Sequence, residues 1–116
     1  MKTYSLLLKI QSAVLRVIKE GITEEYPWQV AVNLLGSKSK YFIHGLGHGI
    51  GLNVHEAPYL RKGMTNTIKS GNAITVEPGL YYPGWGGIRI EDYIIVTKKG
   101  CRVLSKMTKS LDDMII

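Results

Sequence analysis

The chain has 116 residues, a length that fits one domain of ordinary size and excludes two. Its composition, 45% hydrophobic and 21% charged, is that of a globular protein and excludes a disordered chain. The net charge of +6 comes from basic residues scattered along the chain, which is typical of a solvated surface. We therefore expect no nucleic-acid partner.

The apolar runs are short, and this limits membrane association and export. The run Leu6 to Leu8 is interrupted at once by Lys9, so neither a transmembrane span nor a signal-peptide core is predicted. The single cysteine, Cys101, cannot form an internal disulfide, which fits a reducing compartment. The expectation is a cytoplasmic protein without a membrane partner.

The first third of the chain has the apolar spacing of helices. One stripe at helical period consists of Leu7, Ile10, Val14, Val17 and Ile18. Gly21 is typical of a helix end, and Thr23 is predicted to cap a second helix that runs to about Leu35 and ends at Gly36. Residues 1–40 are therefore predicted to form a helix pair.

The remainder, residues 41–116, is rich in glycine, and its apolar residues alternate as in strands. We predict a short strand at 73–77, a loop at 80–87 and a longer strand at 88–96. Residues 98–100 are predicted to form a hairpin turn that leads into another strand. Helices followed by antiparallel strands indicate an α+β fold.

All three histidines lie in the segment HGLGHGIGLNVHEAP, at positions 44, 48 and 55. A His-x3-His spacing on a helix would suggest zinc, but alternating glycines make a helix unfavourable here. The segment is better interpreted as extended backbone or a loop that approaches another group closely, with His44 and His48 on the same side of an extended strand. The glycine spacing does not match a dinucleotide-binding fingerprint, and no phosphate-loop lysine follows.

Two glutamates are the acidic candidates. Glu77 ends the first predicted strand, and Glu91 shares one strand face with Arg89 and Tyr93. A lone carboxylate on a strand is usually a solvated surface residue, and Arg89 could be a simple ion-pair partner. An imidazole with two carboxylates, however, is a ligand set suited to Mn²⁺, Co²⁺ or Zn²⁺. A metal site is therefore a candidate function.

The motifs HGLGHGIGLNVHEAP and ITVEPGLYYPGWGGIRIEDYIIV together resemble the C-terminal half of the pita-bread metallopeptidases. Within that group the chain is more similar to Xaa-Pro dipeptidases (prolidases) and aminopeptidase P than to methionine aminopeptidases. The discriminating marks are His44 before the glycine-rich segment, the VHE-P after it, and the sequence GGIRIED. The similarity extends over nearly the whole chain, including the helix pair.

The resemblance implies a metal-dependent exopeptidase with a site for two divalent ions, Mn, Co or Zn in the complete enzyme. Its ligands in this sequence are His48, Glu77 and Glu91, with Glu91 bridging the two ions. Glu77 also handles the proton of the attacking water. The implied substrate is a peptide with proline after the scissile bond.

Three further residues receive roles from the same resemblance. His44 and His55 line the substrate pocket, where His55 contacts the scissile carbonyl or the developing oxyanion. Arg89 lies near the ligand carboxylates and orients them.

The family's site also needs two aspartates from a hairpin ahead of the helix pair, and residues 1–40 contain no aspartate. We therefore expect one partial domain over residues 1–116, which binds at most one metal ion, weakly, and is inactive alone. It is expected to form a homodimer or to need a complementary N-terminal half, because half of a sheet leaves an unpaired edge. The alternative is a non-catalytic binding or assembly module that keeps the peptidase fold.

Overall fold

A computed structural model describes residues 2–51 and 56–105. Two α-helices, α1 (Lys2–Val17) and α2 (Glu25–Leu35), are followed by a 3₁₀ helix at Gly36–Tyr41. The strands are β1 (Gly47–Gly49), β2 (Glu56–Leu60), β3 (Ala73–Val76), β4 (Gly79–Tyr82), β5 (Gly86–Arg89), β6 (Asp92–Val96) and β7 (Cys101–Val103). Within the described ranges, no helix is long and apolar enough to cross a membrane.

The strands form a five-stranded sheet in the order β2-β1-β3-β6-β7 and a separate two-stranded sheet, β4-β5. All neighbouring strands are antiparallel. The central pair, β3 and β6, is in register from Ala73 opposite Ile95 to Val76 opposite Asp92. The predicted α+β class and the antiparallel sheet are confirmed.

One face of α1 packs against the sheet and contributes much of the core. The predicted apolar stripe is buried as expected at Leu7, Ile10, Val14 and Ile18. The same cluster includes side chains from β3 and β6, such as Ile74 and Ile94, both inaccessible to solvent. The helix pair and the sheet therefore share one hydrophobic core, which fixes α1 behind the central strands.

The start of α2 differs from the prediction. Thr23 does not cap the helix; it forms an isolated bridge with Thr67, and the helix begins at Glu25. Glu24 occupies the cap position, but its buried carboxylate accepts hydrogen bonds from the backbone N–H groups of Tyr59 and Asn66, at 2.7 and 3.1 Å. The predicted Thr23 cap was wrong because long-range pairing of this segment overrides the local capping preference.

The predicted loop at 80–87 and the predicted continuous strand at 88–96 were also wrong. Residues 79–89 form the β4-β5 hairpin, whose turn contains Gly84 at φ +77°. The chain then leaves one sheet for the other, and Ile90 N–H donates to the carbonyl of Pro78 at 3.1 Å. The prediction failed because the glycines and the proline in 79–87 are typical of a loop, and the two short strands lack the apolar alternation that would indicate them.

Candidate functional site

His48 lies on β1, which approaches β3 very closely. A side chain at Gly47 would overlap the carbonyl oxygen of Thr75, so only glycine permits this packing. The backbone N–H of His48 donates to Thr75 Oγ1 at 3.1 Å, which fixes the strand in place. The predicted interpretation of the glycine-rich segment as extended backbone in close approach is confirmed for 47–49.

The ring of His48 is held in one orientation by its own backbone. Nδ1 lies 2.9 Å from the carbonyl oxygen of Gly49, and because a carbonyl can only accept, the neutral ring carries its hydrogen on Nδ1. Nε2 is then left with a lone pair, and it lies 3.6 Å from Oε2 of Glu77. This is the tautomer that a metal-ligating histidine uses when its other nitrogen donates to a backbone carbonyl.

Glu77 follows β3 directly, where the strand ends at the rim of the sheet. Its backbone N–H donates to the carbonyl of Leu46 at 2.7 Å, which ties the residue to the chain just before β1. Its side chain is 14% exposed, so the carboxylate is accessible yet largely enclosed. The short distance between Glu77 and His48 therefore results from the β1–β3 approach that Gly47 permits.

Glu91 lies between β5 and β6, and continuing the β3–β6 register by one residue places it opposite Glu77. Its carboxylate contacts Arg89, with Nε to Oε2 at 3.7 Å. The charge of Glu91 raises the pKa of the Tyr93 hydroxyl, as does the hydrogen bond that Glu91 accepts from it, and the charge of Glu77 adds to the effect. Glu77, Glu91 and Tyr93 thus lie within electrostatic reach of one another.

The metal-ligand prediction can be compared with these positions. Metal bonds to nitrogen and oxygen are about 2.0–2.2 Å long, so two atoms 3.6 Å apart can both bind one ion. His48 and Glu77 fit a divalent ion in this way. In residues 2–51 and 56–105, however, no three His, Cys, Asp or Glu side chains converge on one point, and Glu91 is directed to Arg89.

A cavity of about 240 Å³ opens beside this pair. Its lining consists of His44, Gly45, Gly47, His48, Tyr59, Arg61 and Glu77. Of the predicted pocket residues, His44 therefore lies at the same cavity as His48 and Glu77. His55 lies outside the described residues, and Arg89 contacts Glu91 and is not part of the cavity lining.

Two cavity residues were not identified from sequence, Tyr59 and Arg61. The guanidinium of Arg61 lies over the ring of Tyr59, with Cζ 4.7 Å from the ring centroid. They reach the cavity because β1 pairs with β2, which places Tyr59 directly opposite His48, just before the register shifts at Gly49. No local pattern marks them, since their position depends on that long-range pairing.

A family model described as "Metallopeptidase family M24" matches residues 1–98. Among curated proteins, the chain is 39% identical over 110 residues to the Xaa-Pro dipeptidase of Pyrococcus horikoshii, covering 93% of this chain and 31% of the relative. The chain thus spans about a third of the length of this relative.

Solved structures give matches of the same extent. The chain aligns with the Xaa-Pro dipeptidase of Bacillus anthracis at a TM-score of 0.91 and 41% identity, over 95% of this chain and 32% of that one. The X-Pro aminopeptidase of Thermotoga maritima aligns at a TM-score of 0.90 and 34% identity, over 94% and 32%. Proteins named as dipeptidases and as aminopeptidases are therefore both similar to this chain.

Proposed function

Because the chain belongs to metallopeptidase family M24, we propose that it provides one part of the active site of an Xaa-Pro exopeptidase. The observation that carries the proposal is the pairing of His48 Nε2 with Glu77 Oε2 at 3.6 Å beside an open cavity. The names of the relatives support an Xaa-Pro peptide as substrate.

The proposed ligands are His48, Glu77 and Glu91, in a site for the divalent metal ions that the family implies. What such ions supply is acidification of a water molecule and polarisation of the scissile carbonyl. His48 offers a neutral nitrogen whose tautomer is set by Gly49, and Glu77 offers a carboxylate oxygen. These nitrogen and carboxylate donors suit Mn²⁺, Co²⁺ and Zn²⁺ alike.

The remaining roles concern protons and orientation. Glu77 is proposed to take the proton of the attacking water, because its carboxylate is enclosed and faces the cavity. Arg89, 3.7 Å from Glu91, orients that carboxylate. His44 lines the substrate pocket, and the motif assigns His55 to the same pocket.

The substrate pocket is proposed to accept the proline ring of an Xaa-Pro bond. A peptide bond before proline has no N–H, so recognition depends on the shape of the pocket around the ring. The ring of Tyr59, which lines the cavity beside the proposed ligands, is proposed to supply the apolar surface that contacts the proline ring. The complete site is proposed to need carboxylates from a complementary N-terminal half, supplied in the same protein or by a partner.

Thermal unfolding in the presence of metal tests the proposal. Mn²⁺, Co²⁺ or Zn²⁺ titrated to millimolar concentration should raise the melting temperature, since a ligand that binds only the folded state stabilises it by about 2.7 kcal/mol at 100 times Kd. Glu77→Gln should abolish this increase. Glu20→Gln is the matched control, because Glu20 accepts a hydrogen bond from Ser70 N–H and is not part of the cavity lining.

Two outcomes would contradict the proposal. No increase in melting temperature at millimolar metal would favour the alternative, a non-catalytic module with the peptidase fold. An increase that Glu77→Gln leaves intact would show that metal binds elsewhere.

A further inference from the structure

Both ring nitrogens of His44 have hydrogen-bond partners. Nδ1 lies 2.7 Å from the carbonyl oxygen of Gly45, and Nε2 lies 2.8 Å from the hydroxyl oxygen of Tyr81. Because the Gly45 carbonyl can only accept, the neutral ring carries its hydrogen on Nδ1. Nε2 is then an acceptor, and the Tyr81 hydroxyl is the donor.

Aromatic packing restricts the same ring. His44 meets the ring of Phe42 edge-on at 5.1 Å and the ring of Tyr81 edge-on at 5.3 Å, measured between centroids. Phe42 is buried and belongs to the hydrophobic core. Two hydrogen bonds and two edge-on contacts therefore fix both the rotamer and the tautomer of His44.

Tyr81 is itself held by the β4-β5 hairpin, in which it pairs with Gly87. A side chain at Gly87 would overlap the Tyr81 ring, and a Cβ at Gly79 would lie 2.9 Å from its hydroxyl oxygen. Neither glycine has a positive φ. The lack of side chains at these two positions is thus what gives the Tyr81 ring the space to reach His44.

We infer that Tyr81 is a positioning residue: its hydroxyl holds the His44 ring, whose Nδ1–H tautomer is set by the Gly45 carbonyl, at the wall of the cavity that contains His48 and Glu77. While the bond from Tyr81 is intact, His44 has no free N–H for a substrate, so it shapes the pocket and does not donate a proton. The inference deepens the proposed function, on which it rests only for the statement that this cavity binds substrate.

The tautomer can be measured by ¹⁵N NMR of the imidazole rings in the 116-residue chain, at a pH where the rings are neutral. His44 is identified by the loss of its signals in His44→Gln. The wild type should show Nδ1 as the protonated nitrogen and Nε2 as the bare one. In Tyr81→Phe the hydrogen should stay on Nδ1, because the Gly45 carbonyl still accepts it, whereas the Nε2 signal should move downfield, because that nitrogen no longer accepts a hydrogen bond from the phenol.

The matched control is Tyr82→Phe, because Tyr82 packs on Tyr41 and has no contact with His44 among the ring pairs described. It should leave the His44 signals in place. Gly87→Ala is a second test that keeps the phenol but displaces its ring, and it should reproduce the Tyr81→Phe shift.

An Nε2–H tautomer in the wild type, or unchanged His44 signals in both Tyr81→Phe and Gly87→Ala, would overturn the inference. The measurement needs neither metal nor activity. A chain that fails to bind metal but shows the change at His44 Nε2 in Tyr81→Phe would refute the proposed function and leave the role of Tyr81 intact.

Discussion

Two carboxylates that are adjacent in the chain have opposite environments. The side chain of Glu91 is 27% exposed and meets Arg89 at 3.7 Å. Asp92 is 1% exposed, and its Oδ2 accepts a hydrogen bond from Nε2 of Gln11 on α1 at 2.8 Å. Successive side chains along a strand point to opposite faces of the sheet, and here that places one acid at the candidate site and the next in the core.

The face of the sheet that is buried against α1 (the buried face) holds in position the opposite face, which carries Glu77 and Glu91. The same amide of Gln11 donates to the carbonyl of Val76 at 3.1 Å, so one side chain joins the residue before Glu77 to the residue after Glu91. The two glutamates themselves make no hydrogen bond to the helix in the described part of the chain. Their backbones are thereby fixed from behind, while their carboxylates stay accessible to a ligand.

The largest expected effect on stability is at Gly47, where β1 packs closely against β3. The same alternation of side chains directs position 47 towards β3 and His48 towards the candidate site. Gly47→Ala would force Cβ into the carbonyl of Thr75, and we expect it to lower the free energy of unfolding by about 3 kcal/mol. Urea denaturation measures this loss. Gly100→Ala is the control, because no atom lies within 4 Å of its Cβ position, and it should change stability by less than about 0.5 kcal/mol. Equal effects at the two glycines would mean that the close approach does not hold β1.

The two acids can be compared directly by removing the donor that each one contacts. Gln11→Leu leaves buried Asp92 and Val76 without the amide, and we expect a loss of about 2 kcal/mol in the free energy of unfolding. Arg89→Leu removes an exposed ion pair and should cost at most about 0.5 kcal/mol. Thermal and urea unfolding of both variants provide the test. A greater loss of stability for Arg89→Leu would mean that the accessible face, not the buried one, stabilises this part of the sheet.

Sequence alone predicted what depends on local pattern. The apolar stripe of the first helix follows from periodicity and is confirmed at Leu7, Ile10, Val14 and Ile18, while Val17 is only half-buried. The extended backbone of the glycine-rich segment follows from glycine spacing and is confirmed for 47–49. The motif resemblance gave the family and the pita-bread fold, which the family match and the aligned structures confirm.

What sequence did not predict depends on long-range contacts. The 2.8 Å bond between His44 and Tyr81 joins residues 37 positions apart, through a hairpin that its glycines and proline concealed. Gln11 is a polar residue within an apolar stripe, and only the packing of α1 on β3 and β6 reveals its partners. The ligand roles of His48, Glu77 and Glu91 stay predictions.

The smallest expected effect concerns Cys101, which begins β7 and contacts α1 at Leu15. Its thiol is half-buried and donates to the carbonyl of Leu15 at 3.5 Å, and burial raises the pKa of the thiol. The folded state thus favours the protonated thiol, so this contribution to stability is complete below the unfolded pKa and is lost as the pH rises through the folded one.

Reaction with iodoacetamide at alkaline pH measures this difference, because the thiolate is the reactive form. Alkylation of Cys101 should be slower in the native chain than in urea, and its rate should rise at a higher pH in the native chain. Gln11→Leu, which loosens the contact between α1 and the sheet, should speed the native reaction, whereas Arg89→Leu should not. Equal rates in native and unfolded chain would show that α1 does not cover the β7 edge, and the stabilising role of the buried face would then be confined to β3 and β6.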